Sequence, residues 1–144
     1  MTQLNTESDM RFDASITTED RFAIRRWLQA LVDGLNKSDL TLLEQSCAEE
    51  LVVEGFNEAV FGKLEYLAYI RQIFSEKNKA LIRYPEMAVS YNRYLFDARG
   101  TLELFVDGIL SMEGTIEFKI QKVDDHFQFM LIKFYPRMML ALNQ

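Results

Sequence analysis

The stretch from residue 87 to residue 136 constrains this chain most, because it reads as a meander of long antiparallel strands with clear punctuation. Asp107-Gly108 is a two-residue hairpin signal. A type I′ turn needs positive φ at both central positions, which Gly takes freely and Asp tolerates. Asp124-Asp125-His126 marks a second turn by the same chemistry. Residues 109–123 run between these turns, and Phe127 to Tyr135 follow the second. That last run is apolar on both parities, which predicts a strand covered on both faces, and Pro136 removes a donor and ends it. Upstream, residues 98–106 pair back from Asp107-Gly108, and residues 87–95 precede them through a turn near Phe96-Asp97. Gly114 inside a long strand predicts a bulge that bends the sheet. A second parse places turns at residues 97–100 and 111–114; it keeps four strands but changes which side chains share a face.

The 144 residues form one domain with room for a sizeable core, and the chain is 49% hydrophobic with 11 Phe and 6 Tyr, which excludes disorder. The formal net charge of −6 disfavours nonspecific binding to nucleic acid or to an anionic membrane, since both need a basic field. Cys47 stands alone, so neither an intrachain disulfide nor a cysteine zinc site can form. Nor is there the basic-then-apolar start of a signal peptide, or a run near the ~18 apolar residues of a membrane span. The expectation is a soluble cytoplasmic protein without cofactor or metal.

Residues 1–16 are polar and aperiodic and read as a flexible tail, pinned at most by Phe12 and Ile16; the domain proper is residues 17–144. Thr17 or Thr18 caps a first helix whose opening turn carries Glu19 and Asp20, where they suit the helix dipole. Ile24, Trp27, Leu28, Leu31, Val32 and Leu35 give it one apolar stripe. Gly34, costly in a helix interior, belongs near its end or under a close neighbour. Ser38-Asp39 starts a short second helix with Leu40, Leu43 and Cys47 on one face. Residues 51–56 read as a strand, and Ala59-Val60-Phe61 as its short return. Gly62 opens a third helix over about residues 63–77, with Leu64, Leu67, Ala68, Ile70 and Phe74 as its apolar set, broadened by Tyr66, Tyr69 and Ile73. Residues 80–84 lead in extended form to Pro85. Helices segregated from an antiparallel sheet define an α+β fold. A bulged, twisted sheet wrapped around the N-terminal helices makes a cone with an apolar interior.

Three fingerprints in this order carry a resemblance: Leu35-Asn36-Lys37-Ser38-Asp39-Leu40 after the first helix, Gly62 opening the third, and Lys122-Val123-Asp124-Asp125-His126-Phe127 in the last hairpin. Over residues 18–136 the chain resembles the nuclear transport factor 2-like (SnoaL-like) superfamily. The resemblance implies a curved, cystatin-like α+β cone with an internal pocket, and commonly a homodimer built on the outer face of the sheet. It does not imply one activity, because the superfamily spans isomerases, polyketide cyclases, dehydratases and noncatalytic binding modules.

In the isomerase and cyclase relatives a general base ends the strand after the second helix, which here points to Glu54. An apolar pocket would raise its pKa toward the range a base needs. Alternation with Val53 would instead turn Glu54 outward. The isomerases' tyrosine on the first helix has no counterpart: its place falls near Leu31. Trp27, one turn earlier, offers a single N–H donor. Their second acid falls near Glu117, on the parity opposite Ile116, Phe118 and Ile120. His126, the sole histidine, sits in a turn and reads as exposed. No carboxylate pair has metal-ligand spacing with histidine, and the six glycines are isolated, so no phosphate loop is present.

The aromatics remain. Trp27, Leu31, Tyr66, Tyr69, Phe74, Tyr91 and Phe118 make the candidate pocket lining for a small hydrophobic ligand, although core packing or a dimer interface would use the same residues. The leading expectation is a homodimeric binder of such a molecule. The alternatives are a lyase- or isomerase-type enzyme with Glu54 as base, and a noncatalytic accessory subunit.

Overall fold

The computed structural model describes residues 5–56, 59–75 and 77–139. In chain order the elements are β1 (Asp9–Phe12), α1 (Thr18–Asn36), α2 (Thr41–Gln45), β2 (Cys47–Phe56), β3 (Ala59–Phe61), α3 (Lys63–Ile73), β4 (Ala80–Arg83), β5 (Glu86–Asn92), β6 (Leu95–Val106), β7 (Ile109–Val123) and β8 (His126–Met139).

Thr17 caps α1 by accepting the backbone N–H of Asp20 at 3.1 Å. Its predicted stripe is the buried one: Ile24, Leu28, Leu31, Val32 and Leu35. At about 2 kcal/mol for each fully buried aliphatic side chain, this stripe outweighs any propensity term in holding the helix. At the far end a Cβ on Gly34 would lie 2.9 Å from the Asp39 carbonyl oxygen, so the chain turns tightly under it. Asn36 then reaches across to β4. Its amide nitrogen donates to the Ile82 carbonyl (3.1 Å) and its carbonyl accepts the Ile82 N–H (2.8 Å), so one side chain occupies the place of a strand.

Eight strands form one mixed, mostly antiparallel sheet in the order β1-β5-β6-β7-β8-β2-β3, with β4 paired to the second half of β6. The meander β5–β8 is the predicted one, and Asp107-Gly108 (φ 53° and 78°) and Asp124-Asp125 (φ 48° and 66°) make the two predicted turns. The first turn lies three residues earlier than expected. Arg93-Tyr94, with Arg93 at φ 62°, joins Asn92 to Leu95, and neither parse of the sequence finds it. The inward parity is continuous across strands: Phe96, Ala98, Leu102 and Leu104 on β6, Met112, Ile116, Phe118 and Ile120 on β7, and Phe127, Phe129, Ile132 and Phe134 on β8.

Four expectations need correction. Residues 9–12 of the supposed tail are a strand, paired in parallel with β5 and burying Met10; the part before residue 5 lies outside the described residues. The sheet is not purely antiparallel, because β2 also runs parallel to β8 and begins at Cys47, where the sequence reads the face of a helix. The outer face of β8 is only half covered, with Tyr135 40% exposed, because no helix among the described residues lies over it. Pro136 does not end β8. It sits opposite Gly114 at a bulge, where a missing N–H breaks no ladder bond.

Two glycines set the bends. Gly114 carries the predicted bulge, and a Cβ there would stand 2.2 Å from the Tyr135 carbonyl oxygen. Gly55 lies at φ +97° at the irregular end of β2, where a Cβ would stand 1.9 Å from the Phe134 carbonyl oxygen. Gly108 also has positive φ but meets nothing within 4 Å. Gly55→Ala is therefore expected to cost about 3 kcal/mol or more, strain and overlap together, and Gly108→Ala about 1 kcal/mol, from strain alone. Urea denaturation of the two variants checks the ordering; equal losses would contradict it.

Candidate functional site: an apolar chamber inside the cone

The interior between the helices and the inner face of the sheet holds a small, largely enclosed chamber of about 30 Å³. Leu28, Leu31 and Leu35 of α1 form one wall and Tyr66, Tyr69, Ile70 and Ile73 of α3 another. The sheet supplies Leu102, Leu104, Met112, Ile116, Phe118, Phe129 and Ile132. Tyr84, just past β4, closes the side and meets Phe118 edge-on at 5.6 Å. None of the described residues lining the chamber is charged.

Of the residues singled out from the sequence, Leu31, Tyr66, Tyr69, Phe74 and Phe118 line the chamber. Trp27 does not. It lies at the margin of the α1 stripe, packs on Phe127 and Phe129 (5.3 and 4.8 Å between ring centres), and donates its indole N–H to the hydroxyl of buried Ser46 at 3.0 Å. Its open side floors a surface groove of about 980 Å³ between α1 and the β7–β8 hairpin, where Asp124, Asp125 and exposed His126 also lie. Tyr91 is outside as well, 45% exposed on β5 and packed on Phe96.

Glu54 is the main correction. Val53 is fully buried, so strand alternation turns Glu54 to the outer face, where its carboxylate stands 3.7 Å from the Lys133 ammonium and the side chain is 39% exposed. It touches no part of the chamber, which removes the proposed general base from the apolar surroundings that base chemistry would need. Glu117 is likewise outward, 3.5 Å from Arg99. Among the described residues no three His, Cys, Asp or Glu side chains gather as a metal site, and no helix is long and apolar enough to cross a membrane.

The polar content of the chamber is phenolic. Tyr66 and Tyr69 stand one turn apart on α3, and Tyr84, the residue after β4, shares the lining with them. Sequence reading misses Tyr84 because it precedes Pro85 in what looks like a connector; its i, i+2 relation to Ile82 was the available signal. Burial pushes all three hydroxyls above their ordinary pKa. For Tyr66 this is reinforced by Tyr84, Cys47 and Tyr69 nearby. Burial also pushes the Cys47 thiol up to about 12, so it is no nucleophile at neutral pH. The Tyr69 hydroxyl is buried with no hydrogen-bond partner among the described residues.

No family model matches the chain, and no curated protein matches it. Solved structures do. A protein of unknown function with a cystatin-like fold from Nostoc punctiforme superposes with a TM-score of 0.71 at 14% identity, over 89% of this chain and 98% of that one. A nuclear transport factor 2-like protein of unknown function from Pseudomonas putida gives 0.69 at 12%, over 90% and 100%. One from Shewanella oneidensis gives 0.64 at 18%, over 80% and 98%. The chain thus has the α+β, cystatin-like fold of nuclear transport factor 2-like proteins. At these identities the likeness carries the fold and no activity.

The buried phenols give the site a pH signature. Their folded pKa values lie above the unfolded value of 10.0, so the folded state holds more protons once pH passes 10. Stability is expected to start falling above pH 9, where the Cys47 thiol contributes, and to fall more steeply above pH 10, where the phenols join it. Tyr66→Phe should reduce that slope in denaturant titrations between pH 9 and 11.5, and an unchanged slope would contradict the assignment.

Proposed function

We propose that the protein is a noncatalytic binder of a small, mainly apolar molecule in the chamber of the cone. The observation that carries this reading is a largely enclosed cavity whose described lining residues carry no charge. Further support comes from the outward position of Glu54, which keeps the candidate base out of the chamber, and from the high pKa of Cys47, which is no nucleophile at neutral pH. The chamber at rest is of water size, far below the ~150 Å³ of an engineered cavity that binds benzene. A ligand of that size enters by displacing lining side chains, of which Met112 is the most adaptable. A small cyclic ketone at about 100 times its Kd is expected to stabilise the protein by about 2.7 kcal/mol in thermal-shift measurements. Leu102→Phe, which fills the chamber, should abolish the shift while keeping the fold. A shift that survives this substitution would place the ligand elsewhere and overturn the reading.

The same protein is proposed to act as a homodimer through the outer face of the sheet, and the order of charges there supports this. Arg99, Glu117, Lys133 and Glu54 stand directly opposite one another on β6, β7, β8 and β2, so one row crosses the sheet as plus, minus, plus, minus. A two-fold axis in the interface, running along the strands between β7 and β8, reverses the row. It sets Arg99 against the partner's Glu54 and Glu117 against the partner's Lys133. Exposed pairs are weak, about 0–1 kcal/mol each, so the dimer should dissociate in 1 M salt, where the Debye length is about 3 Å. In sedimentation at low salt, Lys133→Glu should weaken it and Glu117→Lys combined with Lys133→Glu should restore it. A monomer at every salt concentration would defeat the arrangement.

A further inference from the structure

We infer that the surface groove between α1 and the β7–β8 hairpin binds a small organic cation of the quaternary ammonium type, seated on the indole of Trp27. The groove holds about 980 Å³ and shares no described lining residue with the chamber, so it is a separate place on the molecule. Trp27 is a fixed platform there. Phe127 and Phe129 pack against its ring at 5.3 and 4.8 Å between centres. The 3.0 Å bond from its indole N–H to the hydroxyl of Ser46, itself 2% exposed, stops the ring from turning. One turn before and one turn after it on α1 stand Ala23 and Ala30, both lining the groove and too small to cover the ring.

The charge of the ligand follows from the rest of the lining. Asp33, Asp124 and Asp125 face one guanidinium, that of Arg26, so the lining carries three negative charges against one positive with His126 neutral. On the sheet, Glu54, Asp97, Glu113 and Glu117 each have a cationic partner. None of the three groove carboxylates is in an ion pair among the described residues; Asp33 accepts only the Gln29 amide, at 3.0 Å. Arg26 is drawn along the helix, its guanidinium 5.5 Å from the centre of the Phe22 ring. An aromatic face attracts a cation through its quadrupole, and the unpaired carboxylates add a negative field that turns anions away. A primary ammonium would give up strong hydration against walls such as Leu42, Val123 and Phe127, which offer it no hydrogen bond from their side chains. A quaternary ammonium spreads its charge over methyl groups that pack on those walls.

Trp27 is the only tryptophan, so its emission reports on the groove. Choline and its uncharged carbon isostere, neohexyl alcohol, have nearly one shape and differ in charge. Titrated into the full chain at low salt, choline is expected to change the Trp27 emission and to bind about tenfold more tightly than the alcohol, ring and carboxylates acting together. Its methyl protons should move upfield in proton spectra, as protons over a ring face do. Asp124→Asn combined with Asp125→Asn keeps side chains that tolerate the positive φ of both positions. That variant should bring choline to within about threefold of the alcohol and leave alcohol binding unchanged. Leu102→Phe, which fills the chamber, should bind choline as wild type does; loss of binding there would place the cation in the chamber and overturn the inference. Equal affinity for choline and the alcohol, choline binding untouched by the paired Asn substitutions, or an emission that neither probe alters would each overturn it as well.

Discussion

The contact between the apolar stripe of α1 and the inward rows of β6, β7 and β8 is the constraint on which the rest of the structure depends. Neither side can bury its apolar surface alone. The helix offers aliphatic side chains at three- and four-residue spacing, and the sheet offers a matching surface of Phe and Ile because its three long strands hold one inward parity across the ladder, β8 by shifting phase at a bulge between Phe129 and Leu131. That parity is what divides the molecule chemically. Apart from Ser46 and Ser111 the described inward side chains are apolar or phenolic, and the outward face carries pairs of opposite charge, such as Lys119 with Asp97 at 2.6 Å and Arg137 with Glu113 at 3.1 Å. A carboxylate on such a strand is placed by alternation long before any functional demand can act on it, and Glu54 is the case in point.

Much of the fold was legible because single residues carried it. Asp107-Gly108 and Asp124-Asp125 announce their turns through the conformations those side chains permit, and Gly114 marks its bulge through the side chain it lacks. The turn at Arg93-Tyr94 was hidden for the opposite reason. Nothing in Arg favours positive φ; the conformation is imposed by the pairing of Tyr91 with Phe96 and Asn92 with Leu95 on either side. The first strand was hidden because four residues with one buried side chain make no periodic signal, and its existence is settled by the free edge of β5.

The site was legible in composition and less so in placement. Tyr66, Tyr69 and Phe74 follow from the helical phase of α3, and Phe118 from the parity of β7, so their convergence could be read from the chain. Trp27 shares the α1 stripe but sits at its margin, and only the position of the β8 hairpin end decides that its neighbours are Phe127 and Phe129. Tyr91 lies past the point where β5 leaves the core, a boundary set by the hidden turn. Tyr84 shares the inward parity of Ile82, a weak local signal that Pro85 just after it obscures.

The paired bonds between the Asn36 amide and Ile82 fasten the C-terminal end of α1 to a strand through a partly buried contact. The third helix is moored differently, by Lys63 to Glu49 and Arg71 to Glu44 on the surface, ties that water loosens cheaply. Both helices are thus held to the sheet by a buried apolar face, and they differ in whether their polar ties lie under cover or in water.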